Sequence, residues 1–203
     1  MSMVVQDKNN SGSNFAVSGT PLYPPPTPEA LMQRAEFLKA YQVEVLSNTE
    51  VLVVLPEGKS RYDFMCEAQR ASLAVDQFRK VAQPEQLEEW SRDALFTKPV
   101  LVPTRIGVNC MVEGSGGMTR AEQDAFFLEK GLTMAKVADL AVAHAAIFLA
   151  TEFRDAFRTN LRSHTVRARD GQLFATVAGL TEHTYFRHDS RAHPALMAAA
   201  NLA

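Results

Sequence analysis

Residues Met134 to Phe153 read MAKVADLAVAHAAIFLATEF, and the fold turns on this stretch. Apolar side chains fall on almost every side of a helix drawn through it, so no face suits water and the helix must be enclosed. Its length approaches the roughly 20 residues that cross a bilayer. Lys136, Asp139, His144 and Glu152 argue against that reading, because ionisable groups are costly in hydrocarbon. No membrane span is expected. Residues 1–14 are polar and lack the apolar core and cleavage site of a signal peptide, so the expected location is cytoplasmic.

Outward from this helix, the rest reads as its wrapping. On the N-terminal side, Thr27 can cap a helix with Pro28 in its first turn, and Leu31, Ala35 and Leu38 give it an apolar stripe through about Tyr41. VEVLS and EVLVVLP, separated by Asn48-Thr49, read as a hairpin whose second strand is central. Ser60 to Asp63 resembles a capping box opening a helix to about Ala82, and Pro84 starts another reaching Leu95. Residues 100–112 divide at Pro103 into strand-like runs, IGVNCMV being the stronger. Thr119 to Glu122 is the best capping box in the chain, its helix ends at Gly131, and Thr133 opens the long apolar helix. Beyond it, residues 165–169 and 172–177 form a second hairpin around Asp170-Gly171. PALMAAANLA reads as a helical or frayed tail.

These readings predict an α+β fold: a single domain over 27–193 with β-hairpins packed around a long central apolar helix. A C-terminal tail covers 194–203. Residues 1–26 form an extended proline-rich N-terminal arm, since PLYPPPTP holds five of the chain's ten prolines. Phe15, Val17, Leu22 and Tyr23 are apolar points along the arm that could dock on a neighbouring subunit. At 203 residues and 46% hydrophobic, the chain has enough material for one substantial core.

Charge and cysteine usage exclude several classes of function. The net charge of -2 gives no global pull towards nucleic acid or anionic lipid. Two cysteines, Cys66 and Cys110, support neither a disulfide framework nor a CxxC zinc site. The charge is uneven, however: residues 154–203 hold seven arginines against four acids. Arg154, Arg158 and Arg162 would form one stripe if the long helix continued, with Arg167 and Arg169 alternating on a following strand. Guanidinium groups suit contacts to phosphate or carboxylate, but a solvated face with local pairs such as Asp155 to Arg158 or Arg162 is the favoured explanation of the spacing.

Motifs for chemistry are thin. Gly58-Lys59-Ser60 resembles the end of a phosphate loop, but the first glycine of that motif would have to stand at Val53. Residues 119–140 resemble a degenerate helix-turn-helix with Gly131 at the turn, although Phe127 occupies a place that normally holds a small residue. His183, His188 and His193 recur every five residues, which matches no zinc pattern, so no metal is assigned and they stand as weak candidates. His144 reads as a core histidine. No catalytic residue and no cofactor is assigned. The expected function is a non-catalytic structural or adaptor subunit of a larger homo- or hetero-oligomeric protein assembly, engaging partners through the arm and an apolar helix face. The alternatives are a nucleic-acid-binding regulator using residues 119–140 and the Arg154 to Arg169 region, and a metal-dependent enzyme using the late histidines.

Overall fold

Thr27 opens the first helix, α1 (Pro28–Ala40), by accepting the Ala30 N–H on its hydroxyl at 3.2 Å, with Pro28 in a first-turn position that needs no N–H. The computed structural model describes residues 26–71, 94–151, 160–166, 173–177, 185–188, 197–198 and 200–202. The proline-rich arm, most of the helix starting at Pro84 and the turn at Asp170-Gly171 lie outside them. Within them the architecture is α+β: helices with a five-stranded antiparallel sheet and a second, four-stranded sheet.

The first sheet has the order β1 (Glu44–Val45), β2 (Glu50–Leu55), β3 (Thr104–Asn109), β9 (Ala200–Leu202) and β4 (Thr133–Met134). Strands β1 (Glu44–Val45) and β2 (Glu50–Leu55) form the N-terminal hairpin, with Val45 opposite Val51. Val51, Val53 and Leu55 alternate inward along β2, as period-2 packing of one face requires. β3 (Thr104–Asn109) runs antiparallel to β2 and places Gly107 opposite both Leu52 and Leu202. Glycine is needed there, because a Cβ would lie 2.7 Å from Leu52 Cδ2 and 3.0 Å from Leu202 Cβ. Of the strand-like runs expected over 100–112, only the part after Pro103 enters the sheet.

Helix α2 (Arg61–Ala71) begins in a reciprocal cap, with Asp63 N–H donating to Ser60 Oγ at 3.1 Å and Ser60 N–H to the Asp63 carboxylate at 2.8 Å. A short helix, α3 (Ala94–Thr97), brings Phe96 into the core. Helix α4 (Arg120–Glu129) forms the full capping box of Thr119 and Glu122, and Gly131 at φ 67° turns the chain away from it.

The apolar stretch is entered by a strand. Thr133–Met134 is β4, paired with β9, and the helix α5 (Val137–Thr151) starts three residues after Met134. Pairing with β9 satisfies backbone groups that a longer helix would have used internally. Every residue from Ala138 to Leu149 is buried, against α1, α2, β1, β2, β3 and β5. Asp139, in its first turn, is held by the Arg61 guanidinium at 2.5 Å. No helix among the described residues is long and apolar enough to cross a membrane.

The second sheet has the order β7-β6-β5-β8, from β5 (Asn160–Val166), β6 (Leu173–Val177), β7 (Tyr185–His188) and β8 (Met197–Ala198). β5 and β6 pair antiparallel across the expected hairpin, although β5 begins at Asn160, five residues earlier than the spacing suggests. The expected helical tail is strand: β8 lies parallel to β5, and β9 (Ala200–Leu202) lies between β3 and β4. A hexapeptide thus contributes to both sheets. Its alanines favour a helix locally, but sheet pairing on both sides overrides so short a preference.

Candidate functional site

Ionisable side chains converge where α1 ends, β2 ends and α2 begins. Tyr41 caps α1 and is buried, with its hydroxyl donating to Glu67 Oε2 at 2.8 Å. Lys59, on the turn after β2, donates to the other carboxylate oxygen of Glu67 at 2.5 Å. Glu67 stands on α2 one turn beyond Asp63, so the helix presents two carboxylates along one side. Cys66, one turn after Tyr62 on the same helix, raises the Tyr62 phenol above its ordinary value.

The protonation states of this cluster follow from its contacts. Burial, then the bond to Glu67, pushes the Tyr41 phenol well above its ordinary value. The Glu67 bond likewise raises the Lys59 ammonium against the opposing effect of burial. Burial works against the Asp63 carboxylate, but hydrogen bonds from the Ser60 side chain and backbone hold it below the usual range. At neutral pH the phenol is therefore protonated and the amine charged, so neither is a ready base or nucleophile. The cluster joins α1, the post-β2 turn and α2. Lys59 is spent on Glu67 rather than poised for a phosphate, which leaves Gly58-Lys59-Ser60 as a capped turn.

A second polar array is buried. Arg162, on β5, donates through Nη1 to Gln123 Oε1 at 2.6 Å and to the Met118 carbonyl at 3.1 Å. Gln123 Nε2 donates to the Ser115 carbonyl at 2.6 Å, and Ser115 Oγ accepts the Ala198 N–H at 3.0 Å while donating to the Val112 carbonyl. Val112 N–H returns to the Ala198 carbonyl at 3.0 Å, so both polar groups of Ala198 are fixed. Beside it, Arg120 reaches the Ser163 carbonyl at 3.1 Å and His164 Nδ1 at 3.3 Å. These bonds fasten α4 and the 112–118 loop to the second sheet.

Arg162 is thus corrected from a surface anion contact to a buried structural group. It lies on β5, and Gln123 of α4 and the 112–118 loop with its Met118 carbonyl close over the face from which it projects. The helical stripe it was to share with Arg154 and Arg158 does not extend to it; those two, with Arg167 and Arg169, lie outside the described residues. The helix-turn-helix geometry is also not formed, since β4 and its pairing with β9 separate α4 from α5. Phe127 is buried instead under Val112, Met134 and the alanines of β8 and β9.

The remaining candidates stand as follows. His183 and His193 lie outside the described residues, as do Phe15, Val17, Leu22 and Tyr23; His188 is placed only as a residue of β7 opposite Phe174. Among the described residues no group of three or more His, Cys, Asp or Glu is gathered to hold a metal. Cys110 is buried and its thiol pushed far up by burial, hence inert. His144 is buried within α5, and burial lowers its pKa to about 3, so it is neutral at physiological pH. The sequence carries one signal for the buried array: Gln123 sits four residues before buried Phe127 on the inward side of α4, a polar residue at a core position. No protein-family model, curated protein or solved structure matches this chain.

Proposed function

We propose that the chain is a non-catalytic subunit of a protein assembly, an α+β body built around α5 that docks through its N-terminal arm and the outward face of α1. The supporting observation is the orientation of α1. Its sequence stripe Leu31, Ala35 and Leu38 reads as core-facing, yet Phe37 and Tyr41 take the inward positions, leaving Leu31 47% and Met32 61% exposed. Met32 and Ala35 point outward with Lys39 at the far end, forming a short apolar strip at the base of the arm. Together with Phe15, Val17, Leu22 and Tyr23 it gives a run of apolar anchors over some 20 residues, as extended arms that wrap a partner present. The apolar face in this reading belongs to α1, because α5 is covered by its own chain.

The test is the mass of the full chain in solution and in extract of the producing cell. Wild type is expected above the 22.4 kDa of a single chain in at least one of these. Leu31→Asp with Met32→Asp, and separately deletion of residues 1–26, should bring it towards that value. Wild type at 22.4 kDa in both, or masses unchanged in both variants, refutes the proposal.

A further inference from the structure

The most exposed apolar side chain on the described surface lies elsewhere, on a rigid mount. Leu101 is 81% and Val102 65% exposed, at the tip of the segment Pro99-Val100-Leu101-Val102-Pro103 between α3 and β3. Val100 N–H donates to the Lys59 carbonyl at 2.9 Å, and the Val100 carbonyl accepts the Gly58 N–H at 2.9 Å. Thr104 Oγ1 donates to the Val102 carbonyl at 2.9 Å. Two prolines fix φ on either side. The backbone on either side of the tip is therefore pinned to its neighbours.

Part of its backbone is also spent. Pro99 and Pro103 carry no N–H, Val100 uses both of its groups on the neighbouring turn, and the Val102 carbonyl is taken by Thr104. Exposed Lys98 and Arg105 flank the tip, and Lys59 stands at the turn pinned to it, with its ammonium on Glu67; Glu57 is the exposed acid on that turn. The rim is net basic around a convex apolar point.

We propose that this tip is a wedge that enters the headgroup layer of an anionic lipid surface, with Leu101 and Val102 inserted and Lys98 and Arg105 on the headgroups. Scale favours lipid over a protein pocket: a stable protein interface needs about 800 Å² per partner, far more than two side chains supply. Lipid, in contrast, rewards each inserted side chain and each basic residue separately. This proposal is independent of the α1 docking face.

The experiment is flotation of the full chain with vesicles of phosphatidylcholine alone and with roughly 30% phosphatidylserine, at about 0.1 M and about 1 M NaCl. Binding is expected on the anionic vesicles at low salt, and much less on the others. Leu101→Ser with Val102→Ser should lower it about tenfold or more, and Lys98→Glu with Arg105→Glu roughly 20-fold or more. All four sites are exposed, so both variants should keep the wild-type circular dichroism. Absence of wild-type binding to anionic vesicles overturns the proposal, as does binding that the serine variant retains. If that variant instead lowers the mass of an assembly and leaves vesicle binding unchanged, the tip is a protein contact and the lipid reading fails.

Discussion

Replacing Asp139 by Ala should cost the protein about 3 kcal/mol, from the lower part of the range for breaking a buried ion pair. Arg61 and Asp139 meet at 2.5 Å with side-chain exposures of 11% and 7%, so the interaction is desolvated but its rim still sees water. Removing the carboxylate takes away the Asp139 charge from a guanidinium in the wall between α2 and α5. Against a typical total of 5–15 kcal/mol, a loss of about 3 kcal/mol is severe. It corresponds to a fall in Tm of roughly 6–12 °C for a chain of this size. The double variant Arg61→Met with Asp139→Leu should recover most of the loss, since apolar groups of similar volume remove the desolvation cost altogether. Urea unfolding followed by far-ultraviolet circular dichroism measures both variants through the midpoint and slope. A single variant within about 0.5 kcal/mol of wild type, or a double variant no more stable than the single one, would refute the argument.

Acid should weaken the fold through His144, whose folded pKa of about 3 lies below its unfolded value near 6.5. Its contribution is complete above about pH 6.5 and fades as pH falls, with about 2 kcal/mol gone by pH 5. His144→Leu should flatten that part of the stability profile; an unaltered acid slope would contradict the assignment. Gly107→Ala forces a methyl group against Leu52 and Leu202 and should cost about 1–3 kcal/mol, read as a lowered urea midpoint. Thr119→Ala removes the acceptor of the α4 capping box and should cost about 0.5–2 kcal/mol by the same measurement, with no change in slope.

The helix starts at Thr27, Ser60 and Thr119 and the hairpin at Asn48-Thr49 were legible because their signals are local. A side-chain oxygen three residues from an orphan N–H acts within one turn, whatever the rest of the chain does. Thr133-Met134 and Met197–Leu202 were not legible, since they become strand only through distant partners: Thr133-Met134 pairs with β9 across more than 60 residues, β9 also with β3, and β8 with β5. Composition favoured helix in both places. The inward face of α1 shows a subtler failure: apolar spacing allowed Leu31 and Ala35 to face the core, while aromatic packing of Phe37, Tyr41 and Phe64 at centroid distances of 4.7–4.9 Å chose another side. At the candidate site, Lys59 and Asp63 were visible as a turn and a cap. Tyr41 meeting Glu67 over 26 positions was not, because nothing in the sequence links them.

The hexapeptide Met197–Leu202 also sets an order of events. β4 belongs to the first sheet only through β9, and β9 reaches it across β3, more than 90 positions upstream. Closing so long a loop costs entropy before any contact repays it, which makes such pairings slow. During synthesis β1, β2 and β3 can pair while the edge of β3 waits unpaired for residues not yet made. That edge is the point at which the nascent chain is most open to mispairing with another strand, and β9, anchored by the bonds of Ala198 to Ser115 and Val112, can close it only last.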